Sequence, residues 1–396
     1  MKLISSWLMI VLTLSMMGCT KSPDTASGER PAPEKNEGAV KISEPVKKAR
    51  NEDDAMQTMD FVKSLKNGWN LGNTLDAAAP GQMARPAASE TAWGNPLTTQ
   101  EMIALLPDAG FGILRVPATW QRHFGPGPDY TVDPAWMSRV QEVVDYGINS
   151  GLTVILNLHH EDWHFPSEEN YPAASGILKK LWAQIAENFK DYDERLIFEA
   201  MNEPRMNNTP YEWTGGTVES RQVVNKLNAD FVRTIRGQGG KNPERYLMIP
   251  TYAASAEDKC MKELSIPDDG RIIVSIHAYV PYHFALDTGP GGTAEWSADR
   301  PEDTRDIDEV LARLDRNFIS KGIPVIMGEF GAVNRNNLDR VTACTRYYCQ
   351  KARELGVPMV WWDNGQLTPG QGEVFGIMDR RGNRWRYQEV VDALLN

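Results

Sequence analysis

Cysteine is scarce in this chain, and its placement excludes a disulfide framework. Four occur in 396 residues: Cys19 near the N-terminus, then Cys260, Cys344 and Cys349. With Cys19 set apart at the end of a leader, an odd number remains. Cys344 and Cys349 stand at i, i+5 on an expected helix, a poor spacing for pairing, so buried free thiols are expected. Positive charge is also in deficit. The 42 Lys and Arg residues against 53 Asp and Glu leave a net charge of −11. A protein that grips a phosphate backbone needs a basic surface, so no nucleic-acid partner is expected. No internal repeat is evident.

Long apolar runs are absent except for one, from Leu3 to Met17 behind Lys2. It is shorter than the roughly 20 residues that span a bilayer, and it fits the apolar core of a secretory signal. Gly18-Cys19 comes directly after it and resembles a bacterial lipoprotein signal, in which the cysteine is lipidated and becomes the first mature residue. Residues 20–55 contain no aromatic side chain and are crowded with Pro, Ser, Glu and Lys, too little apolar surface to offset the entropy of ordering them. The expected organisation is therefore a signal peptide over 1–18, a lipidated tether over 19–55 that spans roughly 30–36 Å as a coil, and a folded domain over 56–396. The expected location is that of an exported lipoprotein, at the outer membrane, the cell surface or the periplasm. A monomer is expected, with the lipid as its only membrane contact.

Past Met56 the chain alternates. Eight short apolar segments (67–73, 112–119, 153–160, 196–203, 246–253, 272–279, 324–331 and 358–365) are mostly continuous rather than alternating runs, as in parallel strands covered on both faces. Helical patterns lie between them, for example over 133–151, 177–192 and 338–356, the last closed by Gly356 with Pro358 beyond. Eight such units make a (β/α)8 TIM barrel. A doubly wound open sheet would carry a Gly-rich phosphate turn after its first strand, and GWNLGN (68–73) is not one.

In such barrels the active site gathers at the C-terminal strand ends. Those ends hold Asn73, Arg115, His159, His160, Asn202, Glu203, His277, Tyr279, Glu329 and Trp362. IFEAMNEPR (197–205) puts Glu203 just beyond a buried strand and ends the ladder at Pro204; Glu329 ends another strand in MGEFGA (327–332). Two carboxylates in unlike environments are the apparatus for cleaving a glycosidic bond, one protonated to donate and one ionised to attack or to activate water. Arg115 and Tyr279 would keep one glutamate charged, and enclosure would raise the pKa of the other. Asn202 suits a sugar 2-hydroxyl, and Trp362 a floor for the ring. Of the twelve tryptophans, about half are expected as large core residues, and the others suit a groove for flat sugar faces.

GWNLGNTLDA (68–77), LRVPATW (114–120), ILNLHH (155–160), FEAMNEP (198–204), HAY (277–279), MGEFGA (327–332) and VWWDN (360–364) together resemble glycoside hydrolase family 5, the cellulase A family, over residues 56–396. The resemblance implies a retaining mechanism with Glu203 as acid/base and Glu329 as nucleophile. It places Arg115, His159, Asn202, His277, Tyr279 and Trp362 at other active-site positions, and His160 and Asn73 at the glucose site. TAWGNP (91–96) and the HHEDWHFP loop (159–166) look most like subfamily 4, implying endo-action on β-1,4-glucans, including mixed-linkage glucan and xyloglucan. No cofactor is implied.

Other readings stay open. HHEDWH (159–164) has His160 and His164 at metal-binding helical spacing. But His159 and His160 close a strand and Pro166 interrupts the chain beyond them, so neither a helix nor a metal is expected there. A surface glycan-binding lipoprotein without turnover would need neither glutamate. A β-mannanase or xylanase of the same fold differs in how the pocket reads the C2 hydroxyl.

Overall fold

The computed structural model describes residues 52–396 apart from 80, 82 and 371. The expected signal peptide, Cys19 and nearly all of the tether lie outside the described residues. The first helix, Glu52–Ser64, begins inside the stretch assigned to the tether. Its N-terminal turn carries Glu52, Asp53 and Asp54, charges that suit a helix start. Thr58 Oγ1 donates to the carbonyl of Gly270 at 2.8 Å, which ties the helix to the domain.

Eight parallel strands close into a barrel in sequence order: β1 Gly68–Leu71, β2 Ile113–Val116, β3 Thr153–Asn157, β4 Leu196–Glu199, β5 Leu247–Ser255, β6 Ile272–His277, β7 Val325–Phe330 and β8 Met359–Asp363. Seven lie wholly within the expected segments, and β5 runs on to Ser255. Helices including Pro134–Asn149, Tyr171–Asn188, Val218–Arg236, Pro301–Asn317 and Leu338–Glu354 form the outer layer. Among the described residues no helix is long and apolar enough to cross a membrane. Cys260, Cys344 and Cys349 are free and buried.

The strand period of two explains where the site sits. Low in the barrel, Ile113, Ile155, Ile197, Met248, Ile273, Ile326 and Val360 form an apolar cluster, joined by Phe61 and Val62 of the first helix and by Leu65 just past its end. Two residues further along the same strands, the inward positions become Arg115, Asn157, Glu199, Pro250, Ser275, Gly328 and Trp362. An apolar plug thus supports a polar layer, and the polar layer faces the mouth.

The barrel closes where β1 meets β8, with Leu71 paired to Asp363. The Asp363 carboxylate accepts from Trp69 Nε1 at 3.0 Å, Ile377 N at 2.9 Å and Met378 N at 3.2 Å. Arg380 donates to Asp363 Oδ1 at 3.0 Å and to the carbonyl of Gly72 at 2.9 Å. These contacts bind the closure to a short hairpin, Met378–Asp379 with Arg384–Trp385, which the apolar pattern does not reveal.

Candidate active site

Arg115 organises the polar layer. Its Nε donates to Glu199 Oε2 at 2.8 Å, Nη1 to Glu329 Oε1 at 2.7 Å and to Asn70 Oδ1 at 2.9 Å, and Nη2 to Asn202 Oδ1 at 2.7 Å. The side chain is fully buried. Burial opposes its charge, but Glu199 and Glu329 outweigh burial and raise the guanidinium pKa, so it remains a fixed cation. Glu199 also accepts from Asn157 Nδ2 at 3.0 Å and Ser275 Oγ at 2.6 Å. Both oxygens of this buried carboxylate are engaged, as a charge without water requires.

Glu329 stands at the next level. Besides Arg115, its Oε2 accepts from the Tyr279 hydroxyl at 2.8 Å. Burial, then Glu329 and Glu203, hold the Tyr279 phenol well above its ordinary pKa, so it stays a donor. Gly328 precedes Glu329 for a steric reason: a side chain there would lie 3.0 Å from His277 Nε2 and 3.1 Å from Ser275 Oγ.

Glu203 faces Glu329 across His277. Its Oε1 lies 2.8 Å from His277 Nδ1, which is also 3.7 Å from Glu329 Oε2. Glu203, His277 and Glu329 each present an atom within 4.8 Å of the others. His277 Nε2 has no hydrogen-bond partner among the described residues, which favours the tautomer that carries its proton on Nδ1 and donates to Glu203. Arg205 approaches Glu203 Oε2 to 3.5 Å from the other side. Enclosure does push the Glu203 carboxyl up, as expected, but His277, Arg205 and His160 outweigh it and leave the group below its ordinary value. The expectation that enclosure raises the pKa of this glutamate is thus corrected: burial acts in that direction, and the neighbouring donors outweigh it.

The other expected residues frame the mouth. The His159 and Trp362 rings are parallel, 1° apart in plane with centroids 5.8 Å apart. A side chain at Gly72 would meet the Trp362 indole at 2.8 Å, so glycine there lets the ring lie against β1. Burial, with His160 and Arg115, depresses His159 well below an ordinary histidine and keeps it neutral. His160 is 45% exposed and lies 5.6 Å from the Trp93 ring. Asn73 adopts φ 54° in the turn after β1, which Asp76 pins by accepting from Asn73 N at 3.0 Å and Thr74 N at 2.6 Å. Asn73 is thus held in the turn through its backbone. A groove of about 920 Å³ opens from Glu203, His277 and Tyr279 past Trp213 and Tyr282.

Among the described residues, two groups bring three potential metal-ligand atoms together, Glu203–His277–Glu329 and Asp76–His159–His160. Both glutamates and Asp76 are already engaged by the donors described. Residues 159–164 form no helix, so His160 and His164 do not share a helical face. Trp163 donates to Glu161 at 2.5 Å and is partly buried against the core, and His164 is buried beside it.

Reading strand ends misses Glu199, Asn70, Asn157, Ser275, Arg205 and Trp213. Glu199 has a signal, an acid inside an otherwise apolar strand in IFEAMNEP. Asn70, Asn157 and Ser275 are polar positions above the apolar plug, recognisable only once strand register is known.

Residues 77–367 match the family described as Cellulase (glycosyl hydrolase family 5). Cellulase/esterase CelE of Acetivibrio thermocellus is 44% identical over 86% of this chain, which spans 40% of the length of that relative. Among solved structures, a GH5-4 broad specificity endoglucanase from Clostridium longisporum is 44% identical, with a TM-score of 0.82 over 85% of this chain and 97% of that one. XEG5A, a xyloglucan-specific endo-beta-1,4-glucanase from a metagenomic library solved with cellotriose, is 39% identical, with a TM-score of 0.82 over 86% of this chain and 99% of that one. A closed eightfold barrel, two facing glutamates, one just beyond β4 and one near the end of β7, and a match over most of the domain converge: the chain belongs to glycoside hydrolase family 5.

Proposed function

We propose that this protein is a retaining endo-β-1,4-glucanase, acting on cellulose-type, mixed-linkage and xyloglucan backbones. The observation that carries the mechanism is the spacing of Glu203 and Glu329, whose nearest ligand atoms lie within 4.8 Å. Retaining enzymes hold their carboxyl groups roughly 5–5.5 Å apart, whereas inverting ones leave a wider gap for water. The Glu329 carboxylate, oriented by Arg115 and Tyr279, attacks the anomeric carbon, and the bond to the leaving oxygen breaks as Glu203 passes it a proton. Water then attacks the glycosyl ester while Glu203 takes the water's proton, and Glu329 is released.

Protonation of Glu203 for the first step is helped by two effects. Substrate displaces water from the groove, and the Glu329 charge nearby disfavours a second anion. Once Glu329 is esterified that charge is gone, and Glu203 ionises in time to act as base. Endo action is supported by exposed aromatic rings on opposite arcs of the mouth, Trp93 beside His160 and Trp213 with Tyr282 along the groove, which suit a chain passing through. The family and the broad-specificity and xyloglucan-acting neighbours support the glucan class. Product profiling on carboxymethyl-cellulose, barley glucan, tamarind xyloglucan, glucomannan and xylan tests it. Release of short oligosaccharides from the first three with net retention is expected; cleavage of only glucomannan or xylan, or inverted first product, would overturn it.

The same proposal includes an exported, monomeric lipoprotein held by Cys19, supported by the Leu3–Met17 run ending at Gly18-Cys19. Wild type should fractionate with membranes and Cys19→Ala should release active protein; a soluble wild type would rule it out.

A further inference from the structure

Arg205 makes and breaks no bond in the two displacement steps, yet it touches the side of Glu203 that His277 leaves open. Its Nη1 reaches Glu203 Oε2 at 3.5 Å and the Glu203 carbonyl at 3.1 Å, and its Nε donates to Glu212 Oε1 at 3.0 Å. The guanidinium lies 4.3 Å over the Trp213 ring. Trp213 is 60% exposed and lines the groove with Glu203 and Tyr282. An arginine stacked on an indole and bound to a carboxylate has little freedom left. Its charge is therefore delivered to one oxygen of Glu203, and the groove wall holds it there.

We propose that Arg205 is a positioning residue that readies Glu203 to act as base in the second half of the reaction, and that Trp213 keeps Arg205 in place. The inference rests on the acid/base role given to Glu203. The first half needs Glu203 protonated and the second needs it ionised, so a permanent cation on one oxygen favours the second. Trp213 joins this to the substrate, because a sugar of the leaving portion in the groove passes the ring that carries the cation. Other charged or titratable groups also face Glu203: His277 and Tyr279 of and beyond β6, Glu329 of β7, and His160 after β3. Around Arg205 stand Glu212, His164 and Tyr252. The test must read a shift that is specific to Arg205.

Two pH profiles separate positioning from mere support. On barley glucan, the alkaline limb of kcat/KM reports loss of the Glu203 proton in the free enzyme. On an aryl cellobioside with a very good leaving group, the acid limb of kcat reports the same carboxyl in the glycosyl-enzyme, where Glu329 no longer titrates. Arg205→Gln should move both limbs to higher pH by about half a unit, the size expected of a partly screened charge pair. Arg205→Lys should recover most of that shift, and Trp213→Ala should move both limbs the same way by less. Unmoved limbs with a uniform fall in activity would overturn the proposal, as would limbs that part in opposite directions. A shift in Arg205→Gln with none in Trp213→Ala would remove Trp213 from it. A wild type that cleaves neither substrate would sink the functional reading instead, which is a different result.

Discussion

Glu329 and Glu203 are near neighbours with opposite surroundings. The Glu329 side chain is 6% exposed and is held by a buried arginine and a phenol that stays protonated. The Glu203 side chain is 16% exposed and meets a histidine at the end of β6 and an arginine on the loop after β4, both near the groove. One carboxylate is locked by donors that belong to the core of the barrel. The other has a charge state that substrate, water and the covalent intermediate can change. A two-step displacement needs this asymmetry, since one group must stay an anion until it reacts and the other must change role between steps.

The sharpest way to break the comparison is to remove the fixed partner. Glu329→Ala should lower turnover on every substrate by on the order of 10⁴-fold or more, because nothing else can form the covalent bond. Added azide should then attack from the vacated side and give an α-glycosyl azide, identified by NMR. Glu203→Ala should lose about 10²–10⁴-fold on glucans yet still react with an activated aryl glycoside in a burst followed by slow turnover. Azide should speed that turnover and give the β-product. If the anomers came out exchanged, the two roles would have to be exchanged as well.

Arg115→Met tests the fixed side through stability. It strands Glu199 and Glu329 as buried anions without their cation, and leaving a buried charge unpaired costs about 3–5 kcal/mol. Thermal unfolding should show a large fall in Tm; an unchanged Tm would mean that the network is not what holds the polar layer. His277→Gln tests the changeable side and should have a smaller effect than these three changes. Glu203 is held below its ordinary value in part by His277, so weakening that donor raises it. The alkaline limb of kcat/KM, which marks loss of the Glu203 proton, should move up by about one unit. A downward shift would reverse the sign assigned to this contact.

The two sides also differ in how plainly the sequence announces them. Glu203, Glu329, His277, Tyr279 and Trp362 all stand where an apolar run ends, and a polar residue at such a place is conspicuous. Strand positions are legible for the same reason, since a parallel strand covered on both faces is an unbroken apolar run. Glu199, Asn70, Asn157 and Ser275 sit within strands, and their meaning depends on which faces point inward, a property of register and closure rather than of any one segment. Arg205 and Trp213 are hidden differently: they lie on a loop whose path across the mouth no periodicity encodes. The first helix is hard to read because it comes after a polar stretch and presents only Phe61 and Val62, with Leu65 just past its end, to the barrel floor.

The closure at Asp363 decides where the domain can be cut. Asp363 gathers Trp69 from the first strand with Ile377, Met378 and Arg380 from the last hairpin and its approach, so residues from the two extremes of the barrel meet on one carboxylate. A chain trimmed to begin at Ala77 would lose β1 altogether, and one ending at Leu367 would lose the hairpin that saturates Asp363. The first cut would turn a continuous hoop of strands into an open sheet whose bare margins, β2 and β8, offer unpaired backbone to other copies. Trimming of this kind would send the protein into aggregates before it touched either glutamate.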